Sequence, residues 1–251
     1  MGKDSDKDYV INIENVKKAF GKNVVLKDVN LKVKEGESIV TLGKSGTGKS
    51  VILQCIAGLL KPDEGKILVY GENVPTLDDE ELQTIRKKIG FLFQSGALYD
   101  SMSVRENLSF PLKRLTDLSD EEITTKVIEA LKNVGLENAI DKMPSELSGG
   151  MKKRIGLART LITDPKIMLY DEPTTGLDPS TSREISQLVL EVQKKYKTTS
   201  IIVTHDMECA RMVADRIVVL KDGEYIVEGT FDELQKSDDP FVKSFFEGLN
   251  F

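Results

Sequence analysis

Cysteine and histidine are scarce in this chain: Cys55, Cys209 and His205 are the whole complement in 251 residues. The cysteines stand far apart and make no paired-cysteine or cysteine–histidine spacing, which excludes zinc and thiol-exchange motifs and leaves buried structural thiols. No uninterrupted apolar run approaches the ~18 residues of a membrane span. The opening MGKDSDKD lacks the apolar segment of a secretory signal, and Asp6 stands where N-myristoylation after Gly2 requires Ser or Thr. A cytoplasmic protein is expected. Basic residues are in the minority, with 35 Lys and Arg against 41 Asp and Glu for a net charge of −6. The chain therefore lacks the electrostatic footprint of a general nucleic-acid binder, and any anionic ligand must be held locally. What remains, 39% hydrophobic and 30% charged residues, suits one large or two small folded domains and excludes disordered and collagen-like classes.

Alternation near the N-terminus, with Val10, Asn12 and Glu14 opposing Ile11 and Ile13, and later Val29, Leu31 and Val33, predicts a small antiparallel β layer punctuated by Gly21 and Gly36. SIVTL (38–42) reads as a strand, followed by a glycine-rich loop and by KSVILQCIAGLL (49–60) as a buried helix. PDEG (62–65) is a turn, KILVY (66–70) a strand, and RKKIGFLFQ leads into another that ends near Gln94. From about 95 to 163 the pattern becomes helical, with Ser103 and Glu106, then Ser119 and Glu122, as capping boxes. KIMLY (166–170), a helix opened by Asp178 and Pro179, TSIIVTH (199–205) and RIVVL (216–220) restore the α/β alternation of a parallel sheet. Asp222-Gly223 suits a tight hairpin turn, Thr230 with Glu233 another capping box, and Phe241, Val242, Phe245 and Phe246 a short closing helix. The basic run Lys152, Lys153, Arg154 reads as a solvated helix face.

Gly43-Lys44-Ser45-Gly46-Thr47-Gly48-Lys49-Ser50 fits the phosphate-binding loop pattern and lies between a predicted strand and helix, as that pattern requires. Its glycines let backbone N–H groups curl around phosphate oxygens, the helix N-terminus adds positive potential, Lys49 reaches the β and γ phosphates, and the Ser50 hydroxyl suits Mg²⁺. Further on, Asp171 and Glu172 end an apolar strand; in a phosphate-loop hydrolase the first would hold Mg²⁺ and the second would deprotonate water, although Asp-Glu-Pro also makes a good turn. Leu147-Ser148-Gly149-Gly150-Met151 precedes a helix. Plain capping by Ser148 is one reading, and close approach of backbone to an anion is the other. A lone histidine is ordinarily structural, but His205 directly follows a strand of the candidate core. Phe20, as an aromatic, ordinarily reads as core.

Phosphate loop, Gln94, the Ser148 signature, the paired carboxylates, the Asp178 loop and His205 occur in one order over nearly the whole chain, and in that order the chain resembles the ATP-binding cassette (ABC) ATPases. The resemblance implies an α/β fold: a phosphate-loop nucleotide hydrolase core with a mostly parallel sheet and an N-terminal antiparallel β layer (about 8–94 and 164–228), a helical signature-bearing insertion (about 95–163) and a C-terminal helical tail (about 229–251). All belong to one nucleotide-binding domain spanning 1–251. It implies ATP and Mg²⁺ as cofactors. Phe20 would stack on adenine, residues 43–50 and Val51 would hold the phosphates, and Ser50, Gln94 and Asp171 would face the metal. Glu172 would be the general base, with His205 on the γ-phosphate and Lys49 and Gln94 completing the catalytic set. In the family the nucleotide is sandwiched between two protomers, so Ser148, Gly149 and Gly150 would serve the partner's ATP and Asp178 would lie at the dimer interface.

Longer stretches, FQSGALYDSMSVRENLSFPL (93–112), MPSELSGGMKKR (143–154), GKSVIL (48–53) and DPFVKSFFEG (239–248), are similar to the ATPase subunits of Mla-type phospholipid transporters. Met151, where the wider family has glutamine, agrees with that subgroup. The narrower resemblance implies a homodimer on the cytoplasmic face of the inner membrane. It would power phospholipid movement through an integral permease of MlaE type and, through the permease, engage a membrane-anchored lipid-binding subunit of MlaD type. The chain's end at Phe251 implies that a longer tail reaching the opposite protomer is absent or short. The alternatives are transport of another solute, or a non-transport cassette ATPase, whose usual tandem cassettes, coiled-coil insertions or basic extensions are not visible here.

Overall fold

The computed structural model describes residues 9–247; the expectations at Gly2, Asp6 and Phe251 lie outside them. Ten strands form one sheet in the order β5-β4-β1-β2-β10-β9-β3-β8-β7-β6. Its first part is antiparallel: β1 (Tyr9–Phe20) pairs with both β2 (Asn23–Lys34) and β4 (Glu64–Val69), and β4 with the short β5 (Glu72–Asn73). Its second part is parallel: β9 (Arg216–Lys221), β3 (Ser38–Leu42), β8 (Thr199–Val203), β7 (Ile167–Asp171) and β6 (Ile89–Leu92). Every residue of β3, β7 and β8 is buried, as expected of strands covered on both faces. The two parts join at β10 (Glu224–Gly229), antiparallel to β9 and parallel to β2 through the pair Glu224 and Asp28. Asp222 and Gly223, both at positive φ, make the expected hairpin turn between β9 and β10.

Helices α1 (Lys49–Ile56), α2 (Asp79–Arg86), α6 (Pro179–Tyr196) and α7 (Met207–Val213) alternate with the strands. Helix α1 is shorter than the predicted 49–60. Ala57 caps it, Gly58 takes φ +65°, and the amides of Gly58 and Leu59 donate back to the carbonyls of Cys55 and Gln54, a Schellman stop. Helix α2 escaped the sequence reading, although Asp78 and Glu81 form a complete capping box in front of the buried Ile85.

Helices α3 (Val104–Leu115), α4 (Asp120–Asn133) and α5 (Gly149–Leu161) enclose a separate apolar cluster that includes Leu108, Val127, Leu131 and Ile155. The predicted capping boxes at Ser103 and Ser119 open α3 and α4. The one at Thr230 opens α8 (Phe231–Gln235), and α9 (Pro240–Phe246) follows, with Val242 fully buried. Cys55 and Cys209 are free and buried, as read from their spacing.

Candidate active site

The turn from β3 into α1 is the phosphate loop, and its shape is dictated by glycine. Gly46 and Gly48 take φ +80° and +98°, and a Cβ on Gly48 would stand 2.6 Å from Val25 Cγ1 of β2. Lys49 is buried, and its ammonium donates to the carbonyls of Gly43 (2.8 Å) and Lys44 (3.0 Å). Thr47 Oγ1 donates to the Lys44 carbonyl at 2.9 Å, bracing the same turn. Burial pulls the Lys49 pKa below the usual lysine value, opposed by the Glu172 carboxylate 3.6 Å away.

Both carboxylates stand at the C-terminal end of β7, beside the phosphate loop. Asp171 Oδ1 accepts from Ser50 Oγ at 2.7 Å, and burial raises the Asp171 pKa. Glu172 Oε2 accepts from Thr175 Oγ1 at 2.9 Å and lies 2.8 Å from His205 Nδ1, which extends from the loop after β8. A cavity of about 540 Å³ opens over this group, lined by Ser45, Gly46, Gly48, Lys49, Ser50, Val51, Gln94, Glu172 and His205, together with Val25 and Thr175. The strand order places β3, β8 and β7 side by side, so residues distant in sequence converge at their carboxyl ends. A second cavity, of about 340 Å³ between α4, α5 and α6, contains none of these residues.

The ABC transporter family pattern matches residues 26–175. The chain belongs to the ABC transporter family. It is an ATP-binding and ATP-hydrolysing cassette with the phosphate-loop ABC ATPase fold, its N-terminal strands antiparallel and its helices inserted as the resemblance implied. It is 42% identical over 238 residues to "Probable ribonucleotide transport ATP-binding protein mkl" of Mycobacterium leprae, covering 95% of this chain and 69% of that one. To "Intermembrane phospholipid transport system ATP-binding protein MlaF" of Haemophilus influenzae it is 39% identical over 239 residues, covering 95% and 90%. The dimeric post-hydrolysis structure of the ATP-binding cassette MJ0796 with ADP and Pi superposes with a TM-score of 0.81, at 38% identity, over 88% of this chain and 98% of that one.

Other expected site residues of the cassette lie elsewhere. Phe20, at the end of β1, is 50% exposed and does not line the cavity. Ser148 caps α5 by accepting from the Met151 amide, and Gly149 and Gly150 form the first turn of that helix. A Cβ on Gly150 would meet Thr181 Cγ2 at 2.5 Å, so the signature packs on the first turn of α6. Asp178 caps α6, accepting from the Thr181 amide and hydroxyl. Among the described residues neither the signature nor Asp178 lines the cavity of its own protomer.

Two residues went unread in the sequence and a third was misread. Val25 shapes the phosphate loop from a strand that bears no motif. Thr175 braces Glu172 from three positions downstream, a spacing visible in the sequence. Lys153 is the correction: it is 5% exposed rather than on a solvated face, and its ammonium donates to the Glu172 carbonyl at 3.0 Å. Lys152 and Arg154 are half-buried, and Arg154 pairs with Glu184.

Proposed function

We propose that this ABC ATPase is the motor subunit of a membrane transporter. It would work as a homodimer that closes on ATP and reopens after hydrolysis, driving a separate integral permease. The observation that carries the reading is Glu172, whose carboxylate faces the phosphate-loop cavity between Lys49, Thr175 and His205. In that position it takes a proton from an attacking water, while His205 and Thr175 fix its direction. Lys49 neutralises charge building on the phosphates, and Gln94 lines the same cavity. Phe20 is assigned to adenine. Ser148, Gly149 and Gly150 are assigned to the nucleotide of the partner protomer, and Asp178 to the interface between the two.

The residues present fit Mg²⁺. Ser50 hydroxyl and Asp171 carboxylate are hard oxygen donors in direct contact, and the burial that disfavours the Asp171 charge is relieved by a cation. When bound, the ion supplies charge neutralisation for phosphoryl transfer.

No helix among the described residues is long and apolar enough to cross a membrane. We assign the chain to the cytoplasmic face of the inner membrane, docked on a permease through the surface just beyond Gln94. There a cavity of about 350 Å³ is lined by Tyr99, Phe110, Pro111, Arg114, Leu115 and Arg159. For cargo we propose phospholipid, on the motif similarity at 93–112 and 143–154 and on the Haemophilus relative. A second reading, another solute such as a ribonucleotide, is favoured by the name of the mycobacterial relative of similar identity.

The test is to purify the tagged chain from its native membranes in mild detergent and identify the proteins and lipids that accompany it. A permease of MlaE type, a lipid-binding subunit of MlaD type and bound phospholipid support the lipid reading. A different permease with a soluble-solute receptor leaves the ATPase assignment standing and removes the lipid one.

A further inference from the structure

Glu172 adopts a backbone conformation that its sequence context opposes. Its φ is +50°, in the left-handed region, and it precedes Pro173, whose ring drives the preceding residue toward extended conformations. Something must hold it there. On one side its amide donates to the Val203 carbonyl of β8 at 2.8 Å. On the other, its carbonyl accepts from the Thr175 amide at 3.3 Å and from Lys153 Nζ at 3.0 Å. The amide bond restrains φ and the carbonyl bonds restrain ψ, and together these angles set the direction of the Cα–Cβ bond.

Lys153 is an unusual residue for this task. A buried ammonium is costly unless its hydrogen bonds are placed well, and among the described residues no carboxylate lies within ion-pair distance of it. The helix that supplies it is held tightly on the opposite side. Gly96, two residues beyond Gln94, has φ +76°, and a Cβ there would stand 2.9 Å from the Lys152 carbonyl; one on Gly156 would stand 2.8 Å from the Gly96 carbonyl. Helix α5 is thus clasped between the loop after Gln94 and the end of β7, with Lys153 reaching across to the second.

We propose that Lys153 is a positioning residue for hydrolysis: from the helix that begins with the Ser148 signature, it holds the Glu172 carbonyl, fixes the left-handed backbone and thereby aims the Glu172 carboxylate. The proposal rests on Glu172 being the general base. It adds that the signature helix is tied to the base of its own protomer by one side chain, so a shift of α5 is felt at Glu172.

The test is a double-mutant cycle in the full chain, using Lys153→Met, Glu172→Gln, the pair, and Lys153→Arg. Steady-state kcat and KM for ATP are measured for each. Lys153→Met should lower kcat roughly 10- to 100-fold, the scale of a misaimed catalytic group, with KM changed by less than about twofold. Lys153→Arg, able to reach the same carbonyl, should recover most of the loss. In the Glu172→Gln background Lys153→Met should lower the residual rate by less than about twofold, because the group it aims is gone. Equal losses in both backgrounds, or wild-type kcat in Lys153→Met, would overturn the proposal. Where Lys153→Met is too unstable to assay, Lys153→Gln, whose amide falls short of the carbonyl, takes its place in the cycle. Wild-type turnover in Glu172→Gln alone would remove the base assignment, and the proposal with it, a failure read independently of Lys153.

Discussion

His205 Nδ1 lies 2.8 Å from Glu172 Oε2, so the chain's one histidine touches the carboxylate that lines the phosphate-loop cavity. Thr175 Oγ1 donates to the same oxygen, leaving Oε1 toward Lys49. A carboxylate held from two sides at Oε2 has a fixed direction, with Oε1 facing the Lys49 ammonium across the cavity.

Glu172→Gln preserves the shape and the contact with Thr175 but not the basicity. Steady-state ATP hydrolysis should fall by ~10²–10⁴, the usual contribution of a general base, while nucleotide affinity stays near wild type. Phosphate release and an equilibrium binding titration on the same preparation check both halves; unchanged turnover would take Glu172 out of its role.

Lys49→Ala removes the cation that the phosphate loop cradles. Loss of a charge-assisted hydrogen bond to phosphate is expected to weaken ATP binding by about 1.5–3 kcal/mol, roughly 10- to 100-fold in Kd. A fluorescent-nucleotide titration with wild-type affinity would contradict the loop assignment.

The stability of the protein should rise with pH through a window set by Lys153. Burial pulls its pKa from 10.5 to about 8. Between those values the unfolded chain retains a proton that the folded chain has released, so raising the pH favours the folded state; below about pH 8 the full cost of the buried charge is present. Compared with Lys153→Met, which lacks the group, wild type should gain about 1–3 kcal/mol between pH 8 and 10.5 in denaturant unfolding. A difference that stays flat across the window would refute this.

Gly48→Ala meets two obstacles at once, φ +98° and a Cβ 2.6 Å from Val25 Cγ1. It should destabilise the fold by about 1–3 kcal/mol and weaken nucleotide binding, since relief requires the loop to move. Chemical denaturation and nucleotide titration report the two effects separately. Pairing it with Val25→Ala should recover the part due to Val25 Cγ1 but not the part due to φ or to Leu26 Cδ2, 3.0 Å from the same Cβ.

The central strands were legible because β3, β7 and β8 are short, continuous apolar runs bounded by motif residues, and the caps were legible because Ser103, Ser119 and Thr230 each sit three residues before a glutamate. The cavity-lining motif residues could be read because the chemistry of phosphate demands glycine, lysine and hydroxyl at fixed spacing. Local rules reached less far elsewhere. Helix α1 stops at Ile56 because Gly58 turns left-handed, although the apolar run continues to Leu60. Helix α2 was passed over because its apolar face is only Leu82 and Ile85 among charges. Lys153 was misplaced because two basic neighbours suggested solvent, whereas its burial is decided by the end of β7, a segment it meets only in the folded chain. Val25 had no signal at all: it matters through a glycine 23 positions away that leaves room for it.

Strand β10 belongs to two ladders, and on the β2 side its share is small: the Glu224–Asp28 pair and the Lys27 amide donating to the Gly223 carbonyl at 2.9 Å. The sheet is thus two plates joined along a narrow strip, and the strip is reinforced by Val25 and Leu26 lodged against the first turn of α1. Slippage of one plate past the other is resisted by side chains as well as by these few backbone bonds: Leu26, Val29, Leu31 and Val33 of β2 share one apolar core with Ile39, Val218 and Leu220, and Arg216 Nη2 of β9 donates to the Lys32 carbonyl. The few backbone bonds between β2 and β10 are therefore expected to open at lower free energy than those of β3, β7 or β8, and the Lys27 amide should exchange before theirs.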